Sequence, residues 1–136
     1  MRVCLDTNVL VAAFATRGLC ADVFRTVIAE HELVLGDVIL TELRRVLKTK
    51  LRLPDDRVAA VDAVLAAFPV PPKPEHPSPI EIRDPSDRWI LATAVAGGAD
   101  VLVTGDQDLL AIQSKAPMPI LDPRAFWDLL RAGHAG

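Results

Sequence analysis

The stretch Arg2-Val3-Cys4-Leu5-Asp6-Thr7-Asn8-Val9-Leu10 decides how the rest of the chain is read. Val3, Cys4 and Leu5 form a short apolar run that suits a buried strand, although a run this short is equally compatible with helix. The Asp-Thr-Asn that follows is cap and turn chemistry. A strand therefore ends at Leu5, and an apolar helix follows over Val9 to Ala15. An acid that closes a buried strand is neither a common core residue nor needed for a turn, which singles out Asp6.

Beyond this stretch, Gly18 breaks the first helix and a second runs from Ala21 to Ala29, with Val23, Phe24, Val27 and Ile28 on its apolar face. Leu33, Val34 and Leu35 form a second strand, closed by Gly36. Asp37 opens a third helix over Val38 to Lys50, in which Ile39, Leu43, Val46 and Leu47 keep the spacing of one buried face. Leu53-Pro54-Asp55-Asp56 starts a fourth helix that runs to Ala67. Phe68 to Pro79 carries six prolines (Pro69, Pro71, Pro72, Pro74, Pro77, Pro79). It cannot be helical and predicts an extended surface crossover with room for one edge strand.

Asp84-Pro85 opens a fifth helix that ends near Gly97-Gly98. Val101 to Thr104 is a third strand, turned at Gly105-Asp106 and followed by a short helical turn. Ile120-Leu121 is the last strand, and Asp122-Pro123 starts a terminal helix to about Ala132. Strands alternating with helices imply an α/β fold with a parallel sheet. The 136 residues fit a single domain, 1–136, because the crossover is too short to divide two.

Composition narrows the function. A hydrophobic fraction of 51% is ample for a core and excludes a disordered chain. With aromatics at 4%, stacking platforms for single-stranded nucleic acid are scarce. A net charge of -3 gives no global basic field, so any RNA binding needs a local basic patch or bound cations. Cys4 and Cys20 make neither a disulfide framework nor a zinc pattern, and His31, His76 and His134 are scattered and read as plain surface or loop residues. Asp6 and Asn8 interrupt the apolar N-terminus, which argues against a signal peptide. No stretch is long enough to span a bilayer, and a cytoplasmic protein is expected.

Asp6 and Asp106 each follow a predicted strand, where open α/β sheets bind ligands. Glu42 and Asp87 lie on helices beside inward-facing Leu43 and Val46, and Ile90 and Leu91. Convergence of four carboxylates would be costly: a like-charge pair about 6 Å apart costs roughly 3 kcal/mol at an effective dielectric near 20. Six such pairs rival the ~5–15 kcal/mol stability of a domain, so the cluster must take up protons or hold a cation. Oxygen-only ligands favour Mg²⁺ or Mn²⁺, and such a cation polarises a phosphate and activates water for phosphodiester hydrolysis. Each acid also has a plain structural reading. Asp84 is a good N-cap with Pro85 at the first helical position and Asp87 in the first turn. Asp106 can cap the turn after it, and Glu42 can sit on a solvated helix face. Asp122-Pro123 repeats the cap pattern and is assigned no chemistry.

Four strings sharpen this reading: Leu5-Asp6-Thr7-Asn8-Val9-Leu10, Thr41-Glu42-Leu43, Asp87-Arg88-Trp89-Ile90-Leu91-Ala92-Thr93-Ala94 and Val103-Thr104-Gly105-Asp106-Gln107-Asp108-Leu109-Leu110. In this order and spacing, from Arg2 to roughly Leu130, the chain resembles the PIN domain, and in particular the VapC-like toxin nucleases of toxin–antitoxin pairs. The resemblance implies a three-layer α/β/α fold around a central parallel sheet of four to five strands, and a Mg²⁺- or Mn²⁺-dependent endoribonuclease. Carried over, Asp6, Glu42, Asp87 and Asp106 are catalytic metal ligands, and Asp84 and Asp108 are further acids of the metal site. Either Asp84 or Asp87 can face the metal, and both can share a helix face. Thr7, Asn8 and Thr104 match the polar residues that orient ligands or waters. The same resemblance implies an RNA substrate, a cognate antitoxin and a homodimer; the lack of a bilayer-length apolar stretch adds the expectation of no membrane association.

Arg44, Arg45, Lys48, Lys50 and Arg52 follow Glu42 as a basic cluster. Arg44, Arg45 and Lys48, with Arg88 beside the third acid, are candidates for gripping RNA phosphates; a solvated helix face is the plain alternative. Trp89 reads more readily as core than as a base-stacking surface. A haloacid-dehalogenase-type phosphatase would need a second Asp where Asn8 stands. A phospho-receiver would need an acceptor Asp where Gly36 follows Leu35, and a late lysine. The stronger rival is a PIN-fold module that binds RNA or protein without cutting, against which the full set of acids argues.

Overall fold

The computed structural model describes residues 1–135, with side chains as far as residue 133; the plain surface role expected for His134 lies outside the described side chains. Four strands, β1 (Arg2–Leu5), β2 (Glu32–Val34), β3 (Val101–Val103) and β4 (Ile120–Leu121), form one parallel sheet in the order β2-β1-β3-β4. Val3, Cys4 and Leu5 in β1 and Val101, Leu102 and Val103 in β3 are all buried. Successive strand residues point to opposite faces, so helices must cover the sheet on both sides. This is the layered, parallel arrangement expected, at the lower end of the four to five strands anticipated.

The helices are α1 (Thr7–Ala15), α2 (Leu19–Glu30), α3 (Asp37–Arg45), α4 (Asp55–Leu65), α5 (Asp87–Ala96), the short α6 (Gln107–Leu110) and α7 (Pro123–Ala135). One core cluster joins Val3, Leu10, Val27, Leu43, Leu91, Leu102 and Phe126. No single helix among the described residues is long and apolar enough to cross a membrane.

Three local departures matter. The third helix stops being α-helical at Arg45 and continues as a π turn over Val46–Lys50, where an extra residue per turn rotates the side chains beyond it. The fifth helix starts at Asp87, three residues later than Asp84-Pro85 suggests, because those residues form a turn: the Ser86 N–H donates to Asp84 Oδ1 (3.0 Å) and the Asp87 N–H to the Asp84 carbonyl (3.1 Å). Residues 68–79 are free of helix, as the prolines require, and the edge strand for which they left room does not form. Asp122 is the cap its sequence suggested, accepting from the Ala125 N–H at 2.7 Å.

Gly36 sets how closely two functional helices approach. A Cβ there would stand 2.5 Å from Cγ2 of Thr93 on α5, so the chain entering α3 can lie against α5 only without a side chain.

Candidate functional site

Parallel register places the first acid. Leu5 pairs with Val103, so Asp6 and Thr104 emerge side by side at the carboxyl edge of the sheet, and the Asp6 N–H donates to the Val103 carbonyl at 2.9 Å. Thr104, fully buried, donates its hydroxyl to Asp6 Oδ2 (2.7 Å) and accepts from the Asp106 N–H (2.9 Å). Asn8 donates to the same Oδ2 (3.1 Å) and accepts from the Gly105 N–H (2.9 Å). The Thr7 N–H donates to Asp6 Oδ1 (2.7 Å). The ends of β1 and β3 are thus laced together through one carboxylate. Burial nevertheless raises the Asp6 carboxyl above the usual range, outweighing these donors, with Asp106 adding to the rise.

A groove of about 1130 Å³ opens in front of this edge. Asp6, Glu42, Asp84, Asp87 and Asp106 line it, together with Thr7 and Asn8 and the apolar Val11, Ala12, Val38 and Ile90. Oxygens of Asp87, Asp106 and Asp108 all lie within 4.8 Å of one another. Asp108, which the resemblance ranks behind the four main acids, joins this group from the first turn of α6, where its N–H donates to the capping Asp106 Oδ1 (2.9 Å). Asp106 is therefore both a cap and a wall of the groove.

Asp87 is the electrostatic anomaly. Only 6% exposed, it has an Oδ2 atom that is buried without a hydrogen-bond donor. Burial, followed by the adjoining Asp106 carboxylate and then by Asp84 and Asp6, pushes its carboxyl up to about 8. Buried polar atoms are normally satisfied, and an acceptor with no donor among like charges calls for a proton or a cation. The Thr7 hydroxyl is likewise buried without a partner at the groove wall. An all-oxygen set that includes a buried, donorless carboxylate fits a hard divalent cation.

The remaining expected residues divide. Asp84 is exposed at the rim, its carboxyl lowered by the Ser86 hydroxyl and N–H. Glu42 faces the groove but is gripped by Arg45, which donates through Nε (3.0 Å) and a terminal nitrogen (2.5 Å) and lowers its carboxyl. Arg44 turns away to Asp62 of α4 (2.9 Å), Arg88 holds the Ser78 carbonyl (2.7 Å), and Lys48 is exposed outside the groove lining. The basic residues in the groove wall are instead Arg45, Lys50 and Lys73. Lys50 belongs to the basic cluster and is brought round at the end of the π turn. Lys73, from the proline-rich crossover, places its ammonium 4.0 Å from the Trp89 ring centroid, and no sequence pattern pointed to it. Asp37 also lines the groove at the start of α3.

A family model described as "PIN domain" matches residues 2–108. No curated protein matches the sequence. Similar folds occur in VapBC2 from Rickettsia felis, a structure bound to a DNA fragment from their promoter (TM-score 0.63, 18% identity, 90% of this chain and 98% of that one). PAE2754 from Pyrobaculum aerophilum gives a TM-score of 0.62 at 22% identity over 97% and 90% of the two chains. VapBC-1 from nontypeable Haemophilus influenzae gives 0.59 at 18% identity over 91% and 99%.

Proposed function

The chain belongs to the PIN-domain family, and we propose that it is a Mg²⁺- or Mn²⁺-dependent endoribonuclease, the toxin of a toxin–antitoxin pair, with residues 1–136 acting as one nuclease domain. The observation that carries this reading is the buried Asp87 carboxylate, with one oxygen lacking any donor, grouped with Asp106 and Asp108 within 4.8 Å at the carboxyl edge of the sheet. Asp6, Asp87, Asp106 and Asp108 would hold the cation, with Glu42 and Asp84 at the groove wall available to it. Once bound, the cation would polarise the scissile phosphate and lower the pKa of attacking water. The chain's own residues do the rest. Thr104, Asn8 and the Thr7 N–H fix both oxygens of Asp6, as supporting hydrogen bonds fix metal-binding carboxylates. Arg45 and Lys50 offer charge to RNA phosphates, Arg45 exchanging Glu42 for the substrate; Arg44 and Arg88 have the structural partners described above.

A cognate antitoxin is proposed by analogy with the VapBC assemblies of similar fold; a homodimer and a cytoplasmic location complete the reading. The test is incubation of the purified chain with RNA and with DNA of matched sequence, in Mg²⁺, Mn²⁺ or EDTA. RNA cleavage that needs the cation supports the proposal. Tight RNA binding without cleavage in either cation would replace it with a non-catalytic PIN-fold binding module.

A further inference from the structure

Trp89 does not occupy the core position its sequence context suggested. It is half-buried and lines the groove two residues after Asp87, with the Lys73 ammonium over its ring at 4.0 Å. The chain has two tryptophans, four phenylalanines and no tyrosine. Phe24 and Phe126 are buried, Phe14 packs on Phe24 at 5.0 Å between ring centroids, Phe68 lines a separate cavity, and Trp127 packs against the core from α7. Among the described residues Trp89 is thus the one aromatic in the wall of the acidic groove.

Lys73 is held there by a loop anchored on both sides. The Pro71 carbonyl accepts from the Asp37 N–H at 3.0 Å, which ties one end to α3. At the other end the Ser78 N–H donates to the Arg88 carbonyl (3.0 Å) and the Ser78 carbonyl accepts from Arg88 Nε (2.7 Å), tying it to α5. Pro72, Pro74 and Pro77 stiffen the span between. A ring face that receives a flexible lysine is open enough to receive another flat or cationic group.

We propose that Trp89 and Lys73 form a nucleotide subsite that stacks one unpaired base of single-stranded RNA beside the scissile phosphate. The inference rests on the ribonuclease reading above and adds the two residues of this chain that seat one nucleotide of the substrate. A nucleotide presents a π-face and an anion a few ångströms apart. Here the indole takes the base while Lys73 leaves the ring for the adjacent phosphate. In a chain of net charge -3, stacking supplies affinity that long-range electrostatics does not. Bases inside a duplex are stacked on each other and cannot enter, so paired RNA is excluded from the site.

The test follows Trp89 emission in a Trp127→Phe background, using an eight-nucleotide single-stranded RNA and its duplex, with Ca²⁺ in place of Mg²⁺ to slow cleavage. The single strand quenches Trp89 and the duplex does not. In Mg²⁺, Trp89→Leu raises KM about tenfold with kcat changed less than twofold, within the range of base–aromatic stacking. Trp89→Phe retains most of the affinity, and Lys73→Ala raises KM and flattens its salt dependence. An unaltered Mg²⁺-induced thermal shift in Trp89→Leu checks that the acidic site is intact. RNA cleavage with no change in Trp89 emission, or with wild-type KM in the leucine variant, overturns the subsite and leaves the nuclease standing. Quenching by the single strand without cleavage keeps the subsite and removes the nuclease. A protein that neither binds nor cuts single-stranded RNA overturns both.

Discussion

Replacing Asp87 by Asn is expected to stabilise the metal-free protein at alkaline pH and to abolish its response to Mg²⁺. The native carboxyl, pushed up to about 8 from 3.8, keeps its proton in the folded chain over a range where the unfolded chain has lost it. The folded pKa is the higher one, so its contribution is fully present below about pH 4 and is lost as pH rises toward about 8. Each pH unit in that window is worth up to about 1.4 kcal/mol. Water in the groove screens the charges, so we take about 2–3 kcal/mol for the whole window. The substitution forfeits about 0.5 kcal/mol of helix-dipole stabilisation at the start of α5, while its amide supplies a donor toward Asp106. The net gain at pH 8 is about 2 kcal/mol, or roughly 6–8 °C in Tm for a chain of this size. Thermal melts of both proteins at pH 5 and pH 8, with EDTA and with Mg²⁺, measure it. The variant should melt higher than wild type at pH 8 in EDTA, the gap should shrink at pH 5, and only wild type should gain from Mg²⁺. A variant that melts below wild type at pH 8 in EDTA, or keeps the full Mg²⁺ shift, would refute the account of Asp87.

Thr104→Val removes the 2.7 Å donor to Asp6 and the acceptor of the Asp106 N–H at a fully buried position; a loss of about 1–3 kcal/mol in urea unfolding and a weaker Mg²⁺ affinity by titration calorimetry are expected. Arg45→Ala releases Glu42 and removes a positive charge from the groove, so calorimetry should show tighter Mg²⁺ binding while cleavage kinetics show a higher KM for RNA. Gly36→Ala drives a methyl onto Thr93 Cγ2 and should cost about 1–3 kcal/mol in denaturant unfolding, with much of the loss recovered on adding Thr93→Ser.

The parallel sheet was legible because Val3 to Leu5 and Val101 to Val103 are apolar runs that end at polar residues, a pattern that burial on both faces enforces. The same runs deliver Asp6 and the Thr104–Asp106 turn to one edge, so these residues can be located from sequence before any contact is known. Side-chain partners set by tertiary neighbours were not legible. The sequence near Glu42 shows a run of basic residues, but only the fold sends Arg44 to Asp62, turns Arg45 back onto Glu42 and brings Lys50 round through the π turn. Lys73 lies 16 positions from Trp89 in a stretch without periodicity, so nothing local announces their contact.

The most direct measurement of the central claim is the initial rate of RNA cleavage in Mg²⁺ by wild type and by Asp106→Asn, each shown to be folded by its thermal melt and each repeated in EDTA. The account predicts metal-dependent cleavage by wild type and a loss of at least about a hundredfold in the variant, the scale of removing an electrostatic group that acts in the transition state. Equal rates for the two proteins, or cleavage that persists in EDTA, would contradict it.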